Sequence, residues 1–150
     1  MNDSQQLETF GVSAQAESET QTTVETRGFE FTVDEPEALG GTDEGPNPVE
    51  YLLGAWAGCL NVVAHPVAEE REIEIRDLEV ALEGSLDPRK FLGIADDVRA
   101  GYQEIDATIS VDTDANDEDL EAWLAAVEER CPVGDNVQNE TPASVSFEKR

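Results

Sequence analysis

Between Pro48 and Val67 the apolar side chains fall at helical spacing. Val49, Leu52, Leu53, Trp56, Leu60, Val63, Ala64 and Val67 make one wide stripe. A helix with such a stripe must bury it, so any fold open to this chain is built around the segment. Its start is marked by the loop DEPEALGGTDEGPNP, residues 34–48, whose three prolines and three glycines end with Pro48 at a first helical position. Pro66 predicts a kink or an end. Gly54 and Gly58, one turn apart, weaken the helix and point to another backbone passing close to that side.

The remaining segments supply what packs on this helix. Alternation from Phe10 to Ala16, and again through Val24, Phe29, Phe31 and Val33, predicts two early half-buried strands. Ile73 and Ile75, then Leu78, Val80 and Leu82, alternate in two phases, which predicts a strand with a bulge near Arg76 and Asp77. A further strand is expected over residues 98–111, with a phase shift near Gln103, and Ala143, Val145 and Phe147 read as a closing strand. Asp114 to Asp119 cap a second helix with the stripe Leu120, Trp123, Leu124 and Val127, extended by Cys131 and ended by Pro132. At 150 residues the expectation is one domain, 1–150, with residues 1–8 frayed.

Asp and Glu number 35 against 9 Lys and Arg, a net charge of −26, which argues strongly against a nucleic-acid partner held by a basic face. The clear apolar periodicity places these charges on solvated faces of folded elements. Lys90 and Lys149 are the only lysines. A folded chain of this kind suits a multimolar-salt, halophilic interior, where the Debye length falls to ~3 Å and like charges barely repel. The first residues lack a leader pattern, and no uninterrupted apolar run approaches the ~20 residues of a membrane span. The expectation is a cytoplasmic protein with no membrane partner.

Two cysteines cannot form a disulfide framework, and read as free, redox-active or metal-binding thiols in a reducing compartment. Cys59 and Cys131 both extend core-facing stripes, so they can meet across a core although 72 positions separate them. The residues alone leave alternatives open, the plainest being two small buried hydrophobes. Zinc is disfavoured: with His65 there are at most three ligands, and no short C-x-x-C or H-x-x-x-H spacing occurs. A Cys59–His65 dyad fits badly, because six helical residues turn about 600° and leave the two about 120° apart. No phosphate-binding glycine signature and no Ser-His-Asp set is present, so neither a metal nor an organic cofactor is expected.

The segment DEPEALGGTDEGPNPVEYLLGAWAGC, together with CPV after the second helix, resembles the OsmC/Ohr family of osmotically inducible and organic hydroperoxide resistance proteins. The resemblance implies an α+β fold with antiparallel sheets and two main helices, in an intertwined homodimer with active sites at the subunit interface. Such packing of central helices would account for Gly54 and Gly58. It also implies a stress-response thiol peroxidase with peroxiredoxin activity: Cys59 attacks the O–O bond of a hydroperoxide, Cys131 closes a disulfide on the sulfenic acid, and an external thiol restores both. In the family an arginine before the helix, fixed by a glutamate, favours the thiolate. Arg27 is the one arginine of seven that precedes Cys59, which makes it the candidate, with Glu50 as its partner.

One departure sets this chain apart. The glutamate of the best-characterised peroxidases stands ten positions before the cysteine, where Val49 stands here; Glu50 is nine before. Nine residues turn about 900°, so on an ideal helix Glu50 and Cys59 face opposite ways. The chain therefore resembles the divergent OsmC-like branch. A second reading stays open, a non-enzymatic small-ligand-binding or stress-associated dimer with unreactive thiols.

Overall fold

The computed structural model describes residues 5–150. The chain divides into two compact units, one ending at Tyr51 and one running from Leu52 to Arg150. The fold is α+β, with two antiparallel sheets and three α-helices.

In the N-terminal unit β1 (Ser13–Ala16), β2 (Thr22–Thr26) and β3 (Phe29–Val33) form a sheet in that order. The β2–β3 hairpin closes on the pair Thr26 and Phe29, leaving Arg27 and Gly28 as a two-residue turn at φ +50° and +86°. Such turns need positive φ at both centres to match the strand twist; glycine adopts it freely, whereas an arginine there is uncommon. Arg27 therefore belongs to a turn, although the alternating pattern around it suggested a strand. Expected fraying of residues 1–8 falls partly on 1–4, outside the described residues, while residues 5–12 carry no regular structure. The first strand starts at Ser13 rather than Phe10 and is not half-buried as expected: all four of its residues are exposed, as are Phe10 and Val12.

After β3 the proline- and glycine-rich loop is organised by a charge. Asp34 is fully buried, and its carboxylate accepts from Glu35 N (2.7 Å), Thr42 Oγ1 (2.7 Å) and Glu44 N (3.1 Å). The Thr42 hydroxyl is the main cause holding its pKa well below the usual carboxylate range; burial opposes this, and Thr20 and the two backbone N–H groups add to it. Asp34 N also donates to Pro46 O, and a side chain on Gly41 would run into the Glu35 carbonyl. The helix that follows opens with a reciprocal cap: Glu50 N donates to Asn47 Oδ1 and Asn47 N to Glu50 Oε1, both at 2.9 Å. Tyr51 stacks on Phe31 and donates to Thr32 O, covering one edge of β3.

That helix, α1 (Pro48–Glu70), supplies the C-terminal unit with Leu60, Ala64, Val67 and Ala68, all buried. It runs through Pro66, which was expected to kink or end it. The proline costs about 3 kcal/mol in a helix interior, and the burial of Ala64, Val67 and Ala68 around it offsets that cost. At 23 residues α1 is, by length and composition alone, apolar enough to cross a membrane. The sequence reading did not foresee this, since Gly54, Gly58, Asn61 and His65 interrupt the run. Here its inner face is the core of the unit.

Strand β4 (Asp77–Leu86) pairs antiparallel with β5 (Tyr102–Asp112). The phase change between Ile75 and Leu78 is not a bulge. Glu72, at φ +57°, turns the chain out of α1, Ile73 N bonds back to Ala68 O, and the strand begins only at Asp77. The bulge lies instead at Gln103, where Leu86 pairs with Tyr102 and Ser85 with Glu104. This is the phase shift seen near Gln103, and β5 starts there rather than at 98. Helix α2 (Asp117–Arg130) is capped by Asn116, and a short α3 (Pro132–Gln138), absent from the sequence reading, follows. The expected closing strand does not form: residues 140–150 are exposed, with Val145 and Phe147 at 100% and 92%. Among the described residues no backbone passes next to Gly54 or Gly58, since a Cβ at either would meet nothing within 4 Å.

The Asp34 network yields a first expectation. A carboxyl with a depressed folded pKa stabilises above its unfolded value and loses that contribution only as pH falls through the folded one. Hydrogen exchange at the amides of Glu35 and Glu44 should thus stay slow when pH is taken below 3.8, the ordinary Asp value. Asp34→Ala should make both amides exchange at least tenfold faster at every pH. Fast exchange in the parent already at pH 4 would show that the carboxylate does not hold the loop.

Candidate active site

Cys59 sits on α1, half-buried, beside the core residue Leu60. Cys131 is reached differently from the sequence expectation. Pro132 disfavours helical backbone at the residue before it, so Cys131 lies outside the regular helix at φ −84°, ψ 107°, ending α2 and capping α3 at once. Its side chain, 1% exposed, accepts from Gly134 N at 3.4 Å. The two free thiols meet there: Cys131 donates to Cys59 across 3.0 Å between the sulfurs.

The packing that holds this pair includes two residues the sequence reading did not single out together. A Cβ on Gly134 would stand 3.0 Å from Trp56 Nε1 and 3.4 Å from Cys131 Sγ, so the absence of a side chain lets the indole close over the first turn of α3. Trp123, fixed by Nε1–H donation to Ala64 O at 2.9 Å, lies in the same core. Beside it a groove of about 370 Å³ runs between α1, β5 and α2, lined by Trp56, Leu60, Ile109, Val111, Leu120 and Leu124. Its carboxylates, Asp117, Glu121 and Glu128, all come from α2.

Arg130, next to Cys131 in sequence, reaches Glu70 at 2.7 Å instead of a sulfur. The other ion pairs of this unit lie elsewhere: Arg76 bridges Asp112 and Asp114, and Arg89 holds Asp87 down to about 2 through its side-chain hydrogen bond. Arg27 and Glu50 belong to the N-terminal unit. Arg27 is exposed, its guanidinium 5.3 Å from the centre of the Phe29 ring. Glu50 spends Oε1 on the helix cap. An N-x-x-E pattern just before an apolar run, Asn47 to Glu50, was the signal for that cap. His65 bonds Asn61 O through Nδ1, and no cluster of three or more metal-ligating side chains occurs among the described residues.

Burial raises the Cys131 pKa most, and the nearby Cys59 sulfur adds to it, while the N–H groups of Gly134 and Val133 work the other way. A thiol whose folded pKa is raised stabilises below its unfolded value, about 8.5, and loses that contribution as pH rises through the folded one. Thermal midpoints of the reduced protein should therefore fall between pH 8 and 10 more steeply than those of Cys131→Ala. Parallel pH profiles for the two proteins would mean that Cys131 does not carry this burden.

Comparison with known proteins places this geometry in a family. A model of OsmC-like proteins matches residues 41–146. An OsmC-like protein from Mycoplasma pneumoniae superposes with a TM-score of 0.76 at 22% identity, covering 87% of this chain and 88% of that one. The organic hydroperoxide resistance protein OhrB of Bacillus subtilis superposes with a TM-score of 0.59 at 26% identity, over 87% and 90% of the two chains. YmaD of Bacillus subtilis (strain 168), described as uncharacterized, is 32% identical over 68 residues, which is 45% of each chain, so the match spans less than half of that relative. By its matched segment and by its fold, this chain belongs to the OsmC-like protein family.

Proposed function

We propose that the protein is a cysteine-based thiol peroxidase that reduces organic hydroperoxides. The observation that carries this reading is the sulfur pair: a half-buried Cys59 and a fully buried Cys131, 3.0 Å apart and both unoxidised. The relative named for organic hydroperoxide resistance supports the substrate class. The Cys59 thiolate attacks the distal peroxide oxygen; the O–O bond breaks, the alkoxide leaves as an alcohol after taking a proton, and Cys59 becomes a sulfenic acid. Cys131 then attacks that sulfur. Its S–H proton leaves with the sulfenic hydroxyl as water, and the disulfide closes. Two external thiol groups, joined in a new disulfide through a mixed-disulfide step, give the two electrons and two protons that return both cysteines to thiols.

The roles follow exposure. Peroxide must reach the first sulfur, whereas the second needs to meet only its partner, so Cys59 is the peroxidatic residue and Cys131 the resolving one. Raised by burial, Cys131 stays protonated at neutral pH and does not compete for peroxide. Arg27 supplies the cation that favours the Cys59 thiolate, with Glu50 to orient it. The uncommon positive φ of Arg27 supports a functional reason for keeping a charge at that turn. A neutral peroxide is neither steered nor repelled by a surface of net charge −26. The working form is a cytoplasmic homodimer: the exposed α1 face of Ala55, Gly58 and Val62 is apolar and free of bulk, which suits helix packing against a second copy.

Two measurements test the chemistry. Cys59→Ser should abolish consumption of cumene hydroperoxide, whereas Cys131→Ser should allow one turnover and then over-oxidise to the sulfinic acid by mass. Reversed phenotypes exchange the roles, and unaltered thiols in the parent after one equivalent of peroxide favour the inert ligand-binding dimer. Arg27→Met should move the pH dependence of iodoacetamide labelling at Cys59 upward, each unit slowing the neutral-pH rate about tenfold. Superimposable curves would leave Arg27 without a part in the reaction.

A further inference from the structure

Gly134 is buried at the third position of α3, where the backbone is helical and no turn has to be made. A glycine in so short a helix weakens it, so what it offers is the space left by its missing side chain. That space is small and has two owners. A Cβ at 134 would stand 3.0 Å from Trp56 Nε1 and 3.5 Å from Trp56 Cε2 on one side, and 3.4 Å from Cys131 Sγ on the other. The first contact is tighter than side-chain carbons normally allow, so an alanine would force the indole, the sulfur or the start of α3 to give. Trp56 precedes Cys59 by three residues on a neighbouring face of α1. The gap therefore joins the helix that carries one sulfur to the junction that carries the other.

On the peroxidase reading given above, on which this inference rests, the Cys59 sulfenic acid has two fates. Cys131 attacks its sulfur: the S–S bond forms, the S–O bond breaks, and the hydroxyl leaves as water with the Cys131 proton. Otherwise a second hydroperoxide gives up its distal oxygen to that sulfur, leaving a sulfinic acid and an alcohol. Peroxide comes from solvent, so the second fate is set by its concentration. The first is intramolecular and depends on where the Cys131 sulfur stands. We infer that Gly134 is a positioning residue for disulfide closure: its missing side chain lets the Trp56 indole and the Cys131 sulfur share one narrow gap, and its N–H holds that sulfur facing Cys59. The hydrogen bond from Gly134 N to Cys131 Sγ is 3.4 Å, and the two sulfurs are 3.0 Å apart. At 1% exposure Cys131 has no room to swing outward and escape a crowded neighbour. Gly134 thereby sets how much peroxide the thiol pair survives.

The test compares the parent, Gly134→Ala, Trp56→Phe and the double variant, each treated with a rising excess of cumene hydroperoxide and its products counted by mass. The readout is the ratio of sulfinic acid to disulfide, two fates of one sulfenic acid, so a variant that merely slows formation of the sulfenic acid leaves the ratio unmoved. In Gly134→Ala the ratio at a given excess should rise about tenfold, because small misplacements cost an oriented step on that order. Phenylalanine lacks the Nε1 corner of the indole, so the double variant should fall back to the ratio of Trp56→Phe alone. An unchanged ratio in Gly134→Ala overturns the inference, as does a rise that Trp56→Phe does not reverse. Should Gly134→Ala fail to fold, the Gly134 amide of the parent decides by NMR. Its shift should follow the ionisation of Cys131 and lose that titration in Cys131→Ala; a flat shift overturns the inference. A parent that forms no sulfenic acid defeats the peroxidase reading instead. Closure is then timed with diamide, which takes two electrons and two protons from the same thiols and becomes a hydrazine. Slower closure in Gly134→Ala upholds the role of Gly134, and equal rates overturn it.

Discussion

Burial of the inner face of α1 against α2 is the interaction on which the rest of the C-terminal unit depends. Ala64 and Val67 are fully buried, and the small side chain of Ala64 lets Trp123 come close enough to donate to its carbonyl. Each fully buried apolar side chain of valine or leucine size contributes roughly 1.5–3 kcal/mol, so this seam outweighs any surface ion pair nearby. It also sets the chemistry. Trp123 and Val127 of α2 and Cys131 just past its end follow at four-residue intervals, while along α1 Cys59 adjoins Leu60 at the end of the same seam. The seam fixes the helices, and the distance between the sulfurs follows from it.

The stripes of the two main helices, apart from the exposed Leu52 and Leu124, and the alternation of β4 were legible because one period governs each whole element. Leu78, Val80 and Leu82 face inward while Asp77, Glu79 and Glu83 face out, as the pattern requires. Illegible were places where a local rule met a tertiary one. Pro66 was expected to kink or end α1; the helix does not end there, and with burial on both sides of the proline it continues to Glu70. The chain leaves α1 through a single left-handed residue, Glu72, which shifts the apolar phase and imitates a bulge. Cys131 was placed on a helical stripe; Pro132 instead turned it into a junction, which is how its sulfur comes to accept a backbone N–H. The thiol pair was readable as residue types. Its surroundings were not, because the closeness of Trp56 to Gly134 joins positions far apart in sequence.

The N-terminal unit shows a different balance. Among its described residues no apolar side chain is fully buried, and its one fully buried group is the carboxylate of Asp34. Its order comes from hydrogen bonds: three on that carboxylate, the paired cap of Asn47 and Glu50, and the Tyr51 hydroxyl on Thr32. A buried carboxylate is tolerated because its acceptor sites are met by donors that have no better partner in the loop. A three-stranded sheet without a core of its own, with Phe29 exposed, is poorly stabilised in isolation.

This imbalance bears on how the chemistry and the assembly are linked. Helix α1 has two faces with separate uses: one carries the seam that ends at Cys59, and the other leaves Ala55, Gly58 and Val62 open. A glycine at position 58 weakens the helix for no gain inside the chain, since a Cβ there meets nothing. The loss is understandable only if the open face is meant to approach something closely. A second copy packed on that face would press on the helix that holds Cys59. A site dried by such packing strengthens every charge interaction that favours the thiolate. On this reading the acidic surface answers to the solvent, the seam to the fold, and the open face of α1 to the reactivity of the thiol pair.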